Sequence, residues 1–238
     1  MAVTRAEPEA RPAAAPARPR WASSHHAEIF VASFAALLVE IAYTRVVSYK
    51  LFYYYVYLVI GLALLGLGAG GVLVAVSSRL RSWATDTVLF WSFLLGSATT
   101  IAVYVLVAVV RIDSIAVWRY GTGASMSSFL GLVAMCIGIS ASFVAPGVVA
   151  ATLFGRRPEG IGSLYAADLV GAGLACALAV AAISALGAPA TVMVAAAAMG
   201  VGAMLVGRRL GSWRAWLGAA ATSIALLATV APGLLPSQ

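Results

Sequence analysis

Charge is what this sequence has least of. Only 10% of its 238 residues are Asp, Glu, Lys or Arg, against 63% hydrophobic, and the mean hydropathy is +1.00. Soluble domains carry about 25% charged residues, so a water-soluble globular fold is excluded and an integral membrane protein is expected. Cysteine is scarce too. Cys136 and Cys176 both lie in apolar runs, a pattern that makes neither a metal site nor a disulfide framework and reads as small packing residues. Histidine is limited to the adjacent pair His25 and His26; with no third ligand nearby, the pair reads as a solvated membrane border rather than a metal site. The formal net charge of +7 comes from basic residues scattered between apolar runs. This suits loop arginines that set topology and excludes nucleic acid as a partner.

Apolar segments of about 20 residues, enough to cross about 30 Å of hydrocarbon as helix, recur along the chain. The alternating ten-residue segments of a β-barrel are not seen. The expected fold is therefore all-α, a polytopic transmembrane helix bundle of about seven spans: 28–48, 53–77, 86–110, 128–154, 163–186, 189–206 and 214–234. Residues 1–27, rich in Pro, Ala and Arg, read as a disordered cytosolic tail. The helical domain is 28–234, and 235–238 form the C-terminal end. The 111–127 connection is the longest, with a short interfacial helix expected over 115–120.

A cytosolic amino terminus places eleven of the spaced arginines on the cytosolic side and leaves Arg45, Lys50, Arg111 and Arg119 outside. The positive-inside rule favours that orientation. The expected setting is a bacterial inner membrane, and seven spans put Gln238 on the outer side.

Several polar residues lie inside these runs. Glu40 is about 18 Å along the first helix from Glu28, past the bilayer centre. An unpaired charge at that depth costs about 3 kcal/mol or more, so a partner or an aqueous cavity is expected. Arg45, five residues on, is poorly placed to pair with Glu40 and either snorkels outward or joins a site. Tyr53, Tyr54, Tyr55 and Tyr57 open the second helix, either as an interfacial belt with packing or as an aromatic approach for a cation. Asp168, with Tyr165 three residues before it, either crosses to a neighbouring helix or forms a proton or cation site.

The run "GLGAGG" at 66–71 satisfies G-x-G-x-x-G but lies within an apolar helix, where a pyrophosphate loop has no place. Gly66 and Gly70 instead make a GxxxG packing face, with Gly171 and Ala175 doing the same beside Asp168. Pro146 interrupts the fourth span and predicts a kink. No nucleophile–base group, metal cluster or phosphate loop is present in the sequence, and no cofactor is expected.

Two stretches, "ALLVEIAYTRVVSYKLFYYYVYLVIGLALLGLGAGG" and "GSLYAADLVGAGLACALA", resemble the membrane domain of bacterial spermidine-synthase-like proteins. The likeness is carried by Glu40, Thr44 and Arg45 in E-I-x-x-T-R, by the tyrosine-rich second helix, and by Tyr165, Asp168, Leu169, Gly171, Ala172 and Cys176 in Y-x-x-D-L-x-G-A. It spans about residues 28 to 206. In that family the helices precede a soluble S-adenosylmethionine-type domain, for which these 238 residues have no counterpart. The resemblance thus implies a non-catalytic membrane module. Two roles are expected of it: binding or moving a small cationic solute such as a polyamine, or anchoring and assembling an aminopropyltransferase-like domain or a larger membrane complex.

Overall fold

The computed structural model describes residues 25–50, 56–110, 123–156 and 160–230. Among the described residues there are eight helices and no strand. They are α1 (His26–Lys50), α2 (Val56–Val76), α3 (Ser78–Ser82), α4 (Thr85–Val109), α5 (Gly123–Arg156), α6 (Ile161–Leu186), α7 (Ala188–Leu210) and α8 (Ser212–Val230). The all-α bundle is as expected. Six of the helices, α1, α2, α4, α5, α6 and α7, are long and apolar enough to cross a membrane. The expected seventh span, 214–234, is helical over Ser212–Val230, and its remainder lies outside the described residues, as does the expected interfacial helix over 115–120.

The long helices alternate in direction. Side-chain contacts gather the starts of α1, α4 and α6 with the ends of α5 and α7 at one end of the bundle: Arg209 reaches Glu28 and Asp86, His26 meets Ser163, and Arg156 meets Thr85. The same end carries Arg79, Arg81, Arg208 and Arg214, whereas Arg45 lies near the far end of α1.

Helix α7 is the hub, packed against α1, α4 and α8. Its small residues explain how one helix accommodates three close neighbours. Gly200 lies against the backbone of Thr222 on α8, Gly202 against the Phe93 ring on α4, and Ala195, Ala196 and Ala203 are fully buried. Without branched side chains on these faces the backbones approach closely, and dispersion contacts drive association in lipid where apolar burial from water does not. Gly187 turns the chain from α6 into α7 with φ +85°, a left-handed conformation that a side chain would strain, and Pro189 follows where its missing N–H costs no helical bond.

The core has two layers along the bundle axis. Near the ion-rich end, Ile29, Phe90, Phe93, Leu153 and Met199 interlock; towards the other end Tyr43, Val47, Val107, Ile139 and Phe143 do so. By contrast α2 and α6 bury only a narrow stripe each. Leu64, Leu65 and Val72 on α2 and Leu169, Val170 and Val180 on α6 point outward, as helices that face lipid require. Pro146 sits inside α5, which is helical continuously from Gly123 to Arg156.

Candidate functional site

The expected site residues fall in separate places. Asp168 accepts a hydrogen bond from the Ser33 hydroxyl across the α1–α6 contact. Three residues further along α6, Gly171 lies so close to α1 that a Cβ there would strike the Phe30 carbonyl. Leu164, Gly171, Ala175 and Ala179 are the buried residues of α6 and fall on one face. The carboxylate is therefore held where two helix backbones nearly touch, in parallel alignment. Of the two readings of Asp168, helix crossing is the one with a partner in place.

Glu40 is half-buried on α1. It lies seven residues beyond Ser33, so helical geometry puts it about 10 Å further along nearly the same face. Glu40 and Asp168 thus share the α1 side that borders α6, two turns apart. No ion pair or hydrogen bond joins the Glu40 side chain to another described residue. Arg45 turns instead to Tyr49, donating to its hydroxyl at 2.9 Å and lying 4.6 Å from its ring centroid. That pair is exposed, as an outward-snorkelling arginine would be.

Tyr57 and Tyr165 are both exposed, at 79% and 55%, and so point away from the bundle interior. Tyr53 lies outside the described residues. Among the described residues of the stretch the fully buried tyrosine is Tyr43, whose hydroxyl donates to the Thr100 carbonyl on α4 at 3.2 Å. Beside it, Ala36, Thr100, Ser142, Phe143, Pro146 and Met199 border a seam too narrow for a water molecule.

The glycine face of α2 meets α5. A Cβ on Gly66 would strike the Ser140 carbonyl and one on Gly70 the Val144 carbonyl, with Gly147 facing Leu67 in return. Gly68 and Gly71 have open space around them. Of the three glycines in the formal G-x-G-x-x-G only Gly66 takes part in helix packing, and its packing partner along the face is Gly70, four residues on. Cys136 is half-buried and Cys176 is exposed, so the second thiol does not pack within this chain.

The densest polar group was not apparent from sequence reasoning. His25 is 4% exposed and Glu28 is fully buried, so the reading of His25 as a solvated border residue is corrected. Arg209, at the end of α7, lies 2.6 Å from Glu28 Oε1, 3.2 Å from His25 Nδ1 and 3.9 Å from Asp86 Oδ1. His25 is in turn 3.8 Å from Glu28 and 3.9 Å from Asp86. Three spans are thereby tied by charge at one end of the bundle. A sequence signal existed: with alternating spans, an acid opening the first and third spans and an arginine closing the sixth fall on one membrane face. No group of three His, Cys, Asp or Glu side chains able to hold a metal ion is found among the described residues.

A second knot lies close by. The Arg156 guanidinium donates to the carbonyls of Trp83, Leu80 and Arg81 and to the Thr85 hydroxyl. It satisfies the carbonyls at the end of α3 that the five-residue helix cannot pair itself. Compared with family models, curated proteins and solved structures, the chain matches none of them.

Proposed function

We propose that this chain is a non-catalytic helical module of a bacterial cytoplasmic membrane, amino terminus inside, that anchors or assembles an enzyme or a larger membrane complex. Its intramembrane polar groups serve helix pairing. The observation that carries this reading is the Ser33–Asp168 bond at the α1–α6 contact, where Gly171 lies against the Phe30 carbonyl. A carboxylate committed to a neighbouring helix at a near-contact of backbones does the work of alignment, for which a hydrogen bond in lipid is worth about 0.6 to 2 kcal/mol. Orientation is supported by the arginines gathered at the Glu28 end. The kinship with spermidine-synthase-like membrane proteins is part of the same proposal, and an aminopropyltransferase-like domain is the partner it suggests.

A second reading, binding or movement of a small cationic solute such as a polyamine, is favoured by Glu40 alone. It is a half-buried carboxylate two turns from Asp168 along one helix border. The two readings separate in proteoliposomes. Under the assembly reading, Asp168→Asn lowers thermal stability, and neither it nor Glu40→Gln changes spermidine binding or flux relative to the unmodified chain. Under the solute reading, both variants stay folded while specific spermidine binding or flux is lost.

A further inference from the structure

One pattern of the chain occurs twice. Val76 to Trp83 reads VSSRLRSW and Val206 to Trp213 reads VGRRLGSW, identical at Val, Arg, Leu, Ser and Trp. The two copies occupy equivalent places, each at the turn that leads out of one long helix, α2 or α7, and into the next, α4 or α8. Both turns lie at the end of the bundle that holds Glu28 and Arg156.

At each turn one arginine is engaged within the bundle, Arg156 of α5 at the first and Arg209 of the repeat itself at the second, and other arginines are left exposed. At the first turn, Arg156 from α5 occupies the carbonyls of Leu80, Arg81 and Trp83. The carbonyls that would otherwise draw in Arg79 and Arg81 are thus already served, and both side chains are exposed. At the second turn, Arg209 is committed to Glu28, while Arg208 is exposed and donates to the Met204 sulfur at 3.9 Å. Arg79, Arg81 and Arg208 have no carboxylate within ion-pair distance among the described residues. Beside them stand indoles: Trp83 is 45% exposed and Trp213 56%.

We propose that the two V-x-x-R-L-x-S-W turns form a binding surface for the headgroups of anionic phospholipids, with Arg79, Arg81 and Arg208 contacting phosphate and Trp83 and Trp213 seated at headgroup level. The chemistry fits at each point. Guanidinium pairs with phosphate through two parallel N–H···O bonds, and indole prefers the boundary where one edge is wet and the ring is apolar. Each exposed cation next to an anionic leaflet contributes about a fivefold gain in affinity, so three together give roughly a hundredfold.

The test uses the full chain in nanodiscs of phosphatidylglycerol or of phosphatidylcholine, read by native mass spectrometry for retained lipid and by thermal unfolding. Expected is strong preference for phosphatidylglycerol, unaffected by added inorganic phosphate at millimolar concentration. The preference falls by roughly a hundredfold in Arg79→Gln/Arg81→Gln/Arg208→Gln and survives in the Lys triple variant and in Arg45→Gln at the other end. Equal retention of the two lipids by the unmodified chain overturns the proposal, and that arm decides the matter even where a variant fails to fold. An unchanged preference in the Gln triple variant, or an equal loss in Arg45→Gln, overturns it as well.

Discussion

Replacing Arg209 with Met strips Glu28 of its nearest charged partner and tests whether the ion network holds three spans together. Glu28 is fully buried, its Oε1 lies 2.6 Å from Arg209 as an ion pair, and neither of its oxygens has a hydrogen-bond donor in good geometry among the described residues. Breaking a buried pair on one side costs about 3 to 5 kcal/mol, because the remaining charge stays desolvated. Arg209 is itself 43% exposed, so water reaches the vacated position, and the lower end, about 3 kcal/mol, is expected. The double variant Glu28→Gln/Arg209→Met removes both charges and should recover a large part of that loss, since no uncompensated ion is left. Unfolding of the purified protein in mixed micelles, titrated with denaturing detergent, measures both. An Arg209→Met effect within about 0.5 kcal/mol, the range of an ordinary surface substitution, refutes the reasoning, as does a double variant less stable than the single.

Three further outcomes follow from packing and hydrogen bonding. Gly70→Leu drives a side chain into the Val144 carbonyl and Val148 on α5 and should destabilise by about 3 kcal/mol or more through backbone displacement, whereas Gly68→Leu, with open space around it, should leave unfolding in detergent nearly unchanged. Arg156→Ala frees the carbonyls it serves on Leu80, Arg81 and Trp83; faster amide exchange confined to residues 78 to 85 and a loss of about 1 to 2 kcal/mol are expected. Tyr43→Phe removes the bond to the Thr100 carbonyl without changing the ring's packing and should cost about 1 kcal/mol in the same unfolding assay; no change would mean that the hydroxyl contributes nothing there.

The spans were legible because a bilayer demands runs of about 20 apolar residues, a signal that needs no tertiary information. Gly66 and Gly70 were legible for a related reason: a GxxxG face inside an apolar helix has few uses other than close approach. Which helix would occupy the centre was not. A span apolar on every side gives no amphipathic cue to its burial, so α7 differs from α6 chiefly in where its small residues meet neighbours. Asp168 announced that it needed a partner but not that the partner would be Ser33, a residue with no mark of its own in the sequence. The His25, Glu28, Asp86 and Arg209 group was hidden by distance along the chain: its members come from the ends of three helices, and each alone resembles an ordinary border residue. The five-residue α3 is too short to show a helical period in the sequence, and one of the groups that hold its end, Arg156, comes from another helix.

In the proposed assembly role Asp168 aligns α1 with α6 and takes no part in solute binding. Disulfide trapping tests it most directly, with cysteines placed at Ser33 and Asp168 in one version and, in another, at neighbouring positions of the two helices with Asp168→Asn or Asp168→Leu added, each reconstituted with and without spermidine. Expected are efficient cross-linking of the Ser33→Cys/Asp168→Cys pair, reduced cross-linking at neighbouring positions when Asp168→Leu is added, and no response to spermidine. Cross-linking that is insensitive to Asp168→Leu but changes with spermidine would contradict it.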